Sequence, residues 1–332
     1  VNVQMQAVLD QWTALHPQPA ESLTPAEARK QPTLTDAANE LIKKNGKNPA
    51  PEQVGGVRDQ RIPVRGASIP VRMYQPPQGT PPFPILVYYH SGGWVLGGLD
   101  EADAPARALA KAANVMVVSV GYRLAPEHKF PTAHADAFNA YKWVLAHAKA
   151  VGGDASRVAV GGESAGGNLA AAVAMMARDS GVKVPAYQVL VYPIAGHDLE
   201  APSYRENGTA KPLDRATMEW FFSQYLKSPN DASNPLIDLV HAPDFKGLPP
   251  ATVITAEIDP LRSEGEALAN KLKGAGVDVD YRNYRGVTHG FFGLGAVVTS
   301  ARDAEQQAAD ALMKALGIQP PAAAPSQGRA SR

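Results

Sequence analysis

Short apolar runs recur along this chain with helix-length segments between them, and that rhythm limits the fold more than any other feature. The runs are Ile85 to Tyr89, Val115 to Val120, Val158 to Val160, Val189 to Tyr192, Ala251 to Thr255 and Val279 to Tyr284. Each is short enough for a strand, and all but the last, a β-like run that carries Asp280, Arg282 and Asn283, are apolar on both alternating faces, the pattern of strands covered from both sides. Alternating β and α elements of this kind predict an α/β fold, a mostly parallel sheet flanked by helices. Ahead of the first run, Arg61-Ile62-Pro63-Val64-Arg65 and Ile69-Pro70-Val71-Arg72-Met73-Tyr74 flank Gly66-Ala67-Ser68, which reads as an opening hairpin.

Two stretches break the rhythm. Residues 1–50 are helical in pattern with proline-rich interruptions, and residues 197–231 run from a loop with Pro202, Gly208 and Pro212 into Asp214 to Phe222. The second follows the Val189 to Tyr192 strand and so emerges at the carboxyl ends of the strands, where ligands bind in open α/β sheets. Both are expected to lie over the sheet, the second as a lid. The core is then expected to comprise residues 51–196 and 232–318. Residues 319–332, made largely of Ala, Pro, Ser and Gly, are expected to be a disordered tail.

Composition narrows the partners. With 32 basic and 32 acidic side chains, no net field favours nucleic acid, an anionic membrane or an acidic substrate, so a neutral small molecule fits best. The chain has no cysteine, which removes disulfides, thiolate metal sites and a cysteine nucleophile together. No apolar stretch reaches the roughly 18 residues of a membrane span, and the first residues read as neither signal peptide nor anchor. A cytoplasmic location is expected.

Three motifs carry chemistry. Gly162-Glu163-Ser164-Ala165-Gly166 follows one predicted strand and precedes a good helix former, the context of a tight strand-to-helix turn that exposes a nucleophilic hydroxyl. His90-Ser91-Gly92-Gly93-Trp94 ends an earlier strand, and Gly92 and Gly93 leave their N–H groups open to a developing oxyanion, with the Ala165 N–H as third donor. His90 reads as a loop brace. Of the eight histidines, His289 alone lies in a glycine-flanked loop after a late strand, the place for a general base. Asp259, at the end of a strand and before Pro260, is the expected acid, with Glu257 as runner-up. The order Ser164, Asp259, His289 matches the α/β-hydrolase order and neither protease order. Trp94 and Phe221 are the expected substrate contacts.

Together with Gly121-Tyr122-Arg123-Leu124-Ala125-Pro126-Glu127, Asp259-Pro260-Leu261-Arg262 and His289-Gly290-Phe291, these motifs resemble the bacterial hormone-sensitive-lipase-like (family IV) carboxylesterases over about residues 50 to 316. The resemblance implies an eight-stranded α/β-hydrolase fold with a helical cap. It also implies a serine carboxylesterase for short to medium acyl esters, needing no metal or organic cofactor. Ser91 replaces the first glycine of the usual His-Gly-Gly-Gly, and Glu163 stands where Asp is common. Arg123 and Glu127 are expected to form a buried ion pair, with Asp136 structural. An amidase or deacetylase would use the same machinery, whereas a non-catalytic receptor would lack a triad member. The last strand should lie at a sheet edge, where homodimerisation is a further expectation.

Overall fold

The computed structural model describes residues 1–320; residues 321–332, most of the expected disordered tail, lie outside the described residues. Eight strands form one sheet: β1 (Gly56–Val64), β2 (Ala67–Gln75), β3 (Phe83–Tyr89), β4 (Met116–Val120), β5 (Gly153–Glu163), β6 (Gln188–Val191), β7 (Ala251–Ile258) and β8 (Val279–Thr288). Their order across the sheet is β1-β2-β4-β3-β5-β6-β7-β8. The opening hairpin pairs antiparallel with itself and onto β4, and every later pairing is parallel. Each predicted apolar run is a strand, and β8 occupies an edge as expected. β5 extends well beyond Val158 to Val160, because Gly153 to Arg157 lacks the apolar signal yet Gly153 still pairs with Phe83.

Among the described residues, ten α-helices accompany the sheet: α1 (Val3–Ala14), α2 (Pro25–Ala28), α3 (Leu34–Lys44), α4 (Asp103–Ala113), α5 (Thr132–His147), α6 (Ala165–Ser180), α7 (Pro202–Asn207), α8 (Arg215–Tyr225), α9 (Arg262–Gly274) and α10 (Thr299–Leu316). All of β3, β4 and β6 is buried, because helices cover both faces. One apolar cluster joins α5, α6, α8 and α9 to the sheet; the other joins α1, α3, α4 and α10. Among the described residues, no helix is long and apolar enough to cross a membrane.

The N-terminal stretch holds its shape through local caps and a few anchors. Thr33 and Asp36 form a reciprocal capping box on α3, and Thr24 and Glu27 form one on α2. Asn2 caps α1 through Met5 N, while its own N–H donates to the Gly286 carbonyl at the end of β8 (2.7 Å). The Trp12 indole donates to the Pro32 carbonyl (2.9 Å), tying α1 to the turn before α3. In the insertion, Asp214 caps α8 by accepting from Thr217 N (2.9 Å). The stretch around Pro202 that the sequence presents as loop carries the short helix α7, with Pro202 in its first turn where no N–H is needed.

The expected Arg123–Glu127 ion pair does not form. Arg123 instead makes a bidentate pair with Asp136, through Nη2 to Oδ1 (2.7 Å) and Nε to Oδ2 (2.9 Å), and its backbone N–H donates to Oδ2 as well (3.0 Å). Glu127 pairs with Arg29 of the N-terminal stretch (2.8 Å). The reason is burial: the Asp136 side chain is fully enclosed and requires a charged partner, whereas Glu127 is half exposed and keeps its hydration. Replacing Asp136 with Ala should therefore lower unfolding stability by about 1.5–3 kcal/mol, the range for a hydrogen bond to a charged group. A urea midpoint no lower than that of the parent protein would refute this.

Candidate active site

Ser164 lies between β5 and α6 with φ 55° and ψ −117°, a left-handed conformation that a non-glycine residue adopts at a cost of about 1–3 kcal/mol. The turn closes only because its flanking residues lack side chains. A Cβ on Gly166 would lie 1.9 Å from the Tyr89 carbonyl oxygen, and one on Gly162 would lie 2.4 Å from the Gly166 carbonyl oxygen. Backbone bonds fix the strained residue on both sides: Ser164 N donates to Val191 O (2.9 Å), and Ile194 N donates to Ser164 O (3.1 Å).

The three residues expected to form a triad come together. Ser164 Oγ is 3.0 Å from His289 Nε2, and His289 Nδ1 is 2.7 Å from Asp259 Oδ2. The other oxygen of Asp259 accepts from Leu261 N (2.8 Å), and the side chain is fully buried. A carboxylate accepts only, so Nδ1 carries the ring hydrogen and Nε2 is left to accept from the serine. Glu257 points elsewhere: it accepts from Gly286 N (2.6 Å) and braces the turn late in β8. A bulge in the β7–β8 pairing between Ala256 and Ile258 separates the two carboxylates.

The glycine loop after β3 stands beside the serine. Gly92 and Gly93 take φ values of 116° and 59°, and both line the same cavity as Ser164 and His289. Among the described residues, none accepts a hydrogen bond from the N–H of Gly92 or Gly93. Ala165 is the first residue of α6, so its N–H has no preceding helical turn to bond. Among the described residues, the N–H groups of Gly92, Gly93 and Ala165 thus have no backbone acceptor. His90 braces the loop, as expected: its Nδ1 lies 2.6 Å from Ser91 O and its ring stacks on Tyr122 at 4.1 Å. Burial holds its imidazole down at about 4, which keeps it neutral.

The cavity has a volume of about 640 Å³. Trp12, His16 and Leu34 bound it from the N-terminal stretch, and Pro212, Leu213 and Phe221 from the insertion. Phe221 lies directly over the glycine loop; a Cβ on Gly93 would be 2.1 Å from Phe221 Cγ. The second expected substrate contact is corrected. Trp94 is fully buried, does not line the cavity and packs face to face with Tyr225 at 4.7 Å. Its left-handed backbone (φ 63°) follows two glycines that turn the chain back into the core.

Two features escaped the sequence reading. Tyr192 places its ring 4.4 Å from that of His289, a contact that strand pattern alone does not signal. Glu163 is buried beneath the serine, and its carboxyl accepts from the Tyr88 hydroxyl (2.5 Å) and the Tyr192 hydroxyl (3.4 Å). Burial pushes this carboxyl up from 4.5 to about 7, against the two tyrosine hydrogen bonds that lower it. Among the described residues, no group of three or more His, Cys, Asp or Glu is placed to hold a metal ion.

Two predictions follow from this geometry. Asp259→Asn should reduce kcat on the order of 10⁴-fold by favouring the wrong imidazole tautomer, and Glu257→Gln should reduce it far less; the reverse order in folded protein would make Glu257 the acid. The second concerns pH. Because Glu163 titrates higher in the folded than in the unfolded chain, its contribution to stability is full below pH 4.5 and is lost as pH rises through about 7. Glu163→Gln cannot ionise, so its urea midpoint should fall less than the parent's across that interval. An equal or steeper fall would contradict the assignment.

A profile of the alpha/beta hydrolase fold matches residues 86–293. The chain is 44% identical to the carboxylesterase NlhH of Mycobacterium tuberculosis over 251 residues, 75% of this chain and 79% of that protein. It is 37% identical to an ethyl acetate hydrolase of Pseudomonas putida, over 90% of this chain and 92% of the relative. Among solved structures, a hyperthermophilic esterase from Pyrobaculum calidifontis superposes with a TM-score of 0.85 at 38% identity, covering 96% of this chain and 99% of that one. With sheet order, motifs and relatives in agreement, the chain belongs to the α/β-hydrolase family, in its hormone-sensitive-lipase-like branch.

Proposed function

We propose that this protein is a carboxylesterase that cleaves short to medium acyl esters through an acyl-enzyme on Ser164. The observation that carries the reading is the unbroken relay from Ser164 Oγ through His289 to Asp259, at 3.0 and 2.7 Å, opening into a mostly apolar cavity beside Gly92 and Gly93. His289 Nε2 takes the serine proton as Oγ attacks the ester carbonyl, and Asp259 stabilises the imidazolium that forms. The N–H groups of Gly92, Gly93 and Ala165 hold the oxyanion. Collapse breaks the ester C–O bond, and His289 returns the proton to the departing alcohol. Water then attacks the acyl group by the same steps, and the acid leaves.

Residues 1–50 and 197–231 act together as the cap in this reading, closing the cavity over the serine. Among the described residues, the Arg and Lys side chains that line the cavity are already paired. Arg29 is committed to Glu127 and to the carbonyls of Val95 and Ala125, and Lys211 to Asp214 (2.7 Å), so an acidic substrate would meet no free cation there and a neutral ester fits better. A second copy of the chain pairing along the open edge of β8 completes the reading; light scattering at micromolar concentration giving the mass of one 35.1 kDa chain would end it.

An organophosphate should label Ser164 and abolish turnover; equal inactivation by labelling another serine would overturn the nucleophile assignment. A p-nitrophenyl ester series should be cleaved well ahead of matched anilides, whereas comparable rates would point to an amidase. Phe221→Ala should lengthen the accepted chain or weaken binding by about 1–3 kcal/mol per methylene-sized contact. An unchanged chain-length profile would place Phe221 in internal packing alone.

A further inference from the structure

One buried histidine takes no part in the proposed chemistry and yet bonds to three separate elements. His134, in the first turn of α5, is enclosed by protein. Its Nδ1 lies 2.7 Å from the hydroxyl of Tyr225, the last residue of α8. Its Nε2 lies 2.8 Å from Asn168 Oδ1 and 3.1 Å from Leu236 O. Asn168 sits on α6 one turn beyond the nucleophile, where its N–H donates to Ser164 O (3.0 Å).

The hydrogen-bond directions in this cluster are determined. Asn168 Nδ2 donates to the carbonyls of Ile194 (2.9 Å) and Ile237 (3.3 Å), which turns Oδ1 toward the histidine. Both partners of Nε2 are acceptors, so Nε2 carries the hydrogen, Nδ1 accepts, and the Tyr225 hydroxyl donates. Burial holds the imidazole down at about 4, so this neutral tautomer persists at neutral pH. The Trp94 ring, directly after the oxyanion glycines, stacks on Tyr225 at 4.7 Å. The backbone of Tyr225 is fastened too, accepting from Phe130 N (2.8 Å).

We propose that His134 is a positioning residue: with Tyr225 and Asn168 it locks the carboxyl end of α8 to the nucleophile helix and the oxyanion loop, and so fixes Phe221, one turn earlier on α8, over Gly93. The ring of Phe221 leaves no room for a Cβ on Gly93, so a small shift of α8 changes the space beside the scissile carbonyl. None of His134, Tyr225, Asn168 or Trp94 lines the cavity, so the joint sets substrate length without touching substrate. The inference rests on the esterase reading of the site.

The test is a double-mutant cycle on chain-length selectivity. Tyr225→Phe removes one hydroxyl and keeps the ring against Trp94. The ratio of kcat/KM for p-nitrophenyl octanoate to that for the acetate should change about 10-fold, the scale of a methylene-sized change in a pocket. In a Phe221→Ala background the same substitution should change that ratio by no more than about 2-fold, because coupled residues are not additive. His134→Gln, which keeps one donor and one acceptor, should disturb the ratio less than His134→Leu. Equal effects of Tyr225→Phe in both backgrounds, or a lowered melting temperature with an unaltered ratio, would reduce the cluster to core packing. If the parent protein turned over no ester, the esterase reading would fail separately; relative rates of Ser164 labelling by methyl and octyl phosphonates would then read the same selectivity.

Discussion

The site depends on one close approach of backbone to backbone, between the turn at Ser164 and the end of β3. β3 and β5 run parallel as neighbours, with Tyr89 opposite Gly162, and the absence of side chains at Gly162 and Gly166 lets α6 begin against the Tyr89 carbonyl. Ser164 and the glycine loop then leave adjacent strands at the same edge of the sheet. Any Cβ at Gly166 would separate them and pull Gly92 and Gly93 away from Ser164. The strain in Ser164 is sustained by the bonds on either side, which continue into β6 and the segment after it.

Buried acids cluster around this point, and their environments differ. Asp259 has a histidine and a backbone N–H as partners. Glu163 and Glu264 are both pushed up by burial, Glu163 to about 7 and Glu264 well above the usual carboxylate range, with neighbouring carboxyls adding to each effect. The Glu163 carboxyl is held by two tyrosines, one of which packs on the His289 imidazole. Burial favours the neutral form of Glu163 below about pH 7, and the two tyrosine hydrogen bonds anchor the group beneath Ser164.

The cavity is assembled from parts distant in sequence. Residues near the N-terminus reach it because Asn2 is pinned to the Gly286 turn and Trp12 to Pro32, while α8 reaches it through its N-cap at Asp214 and its anchored end at Tyr225. The cover is therefore stitched to the same elements that carry His289 and Ser164. Size and shape of the cavity follow from those joints as much as from the residues that line it.

The strands and the meeting of Ser164, His289 and Asp259 were legible in the sequence because each rests on a local constraint: apolar runs mark covered strands, and the glycines around Ser164 and at Gly92 and Gly93 mark tight turns. Chain order was enough to place Asp259 and His289 at successive strand ends. Tertiary structure alone decided which charges meet. Arg123 chose Asp136 over the nearer Glu127 because only the former is fully buried. Trp94, adjacent to Gly92 and Gly93, turned inward to Tyr225 while Phe221, far away in sequence, came to lie over Gly93. Local patterns record backbone needs, which act over a few residues; partners for buried charges and rings are set by which surfaces the folded chain brings together, and no sequence spacing encodes that.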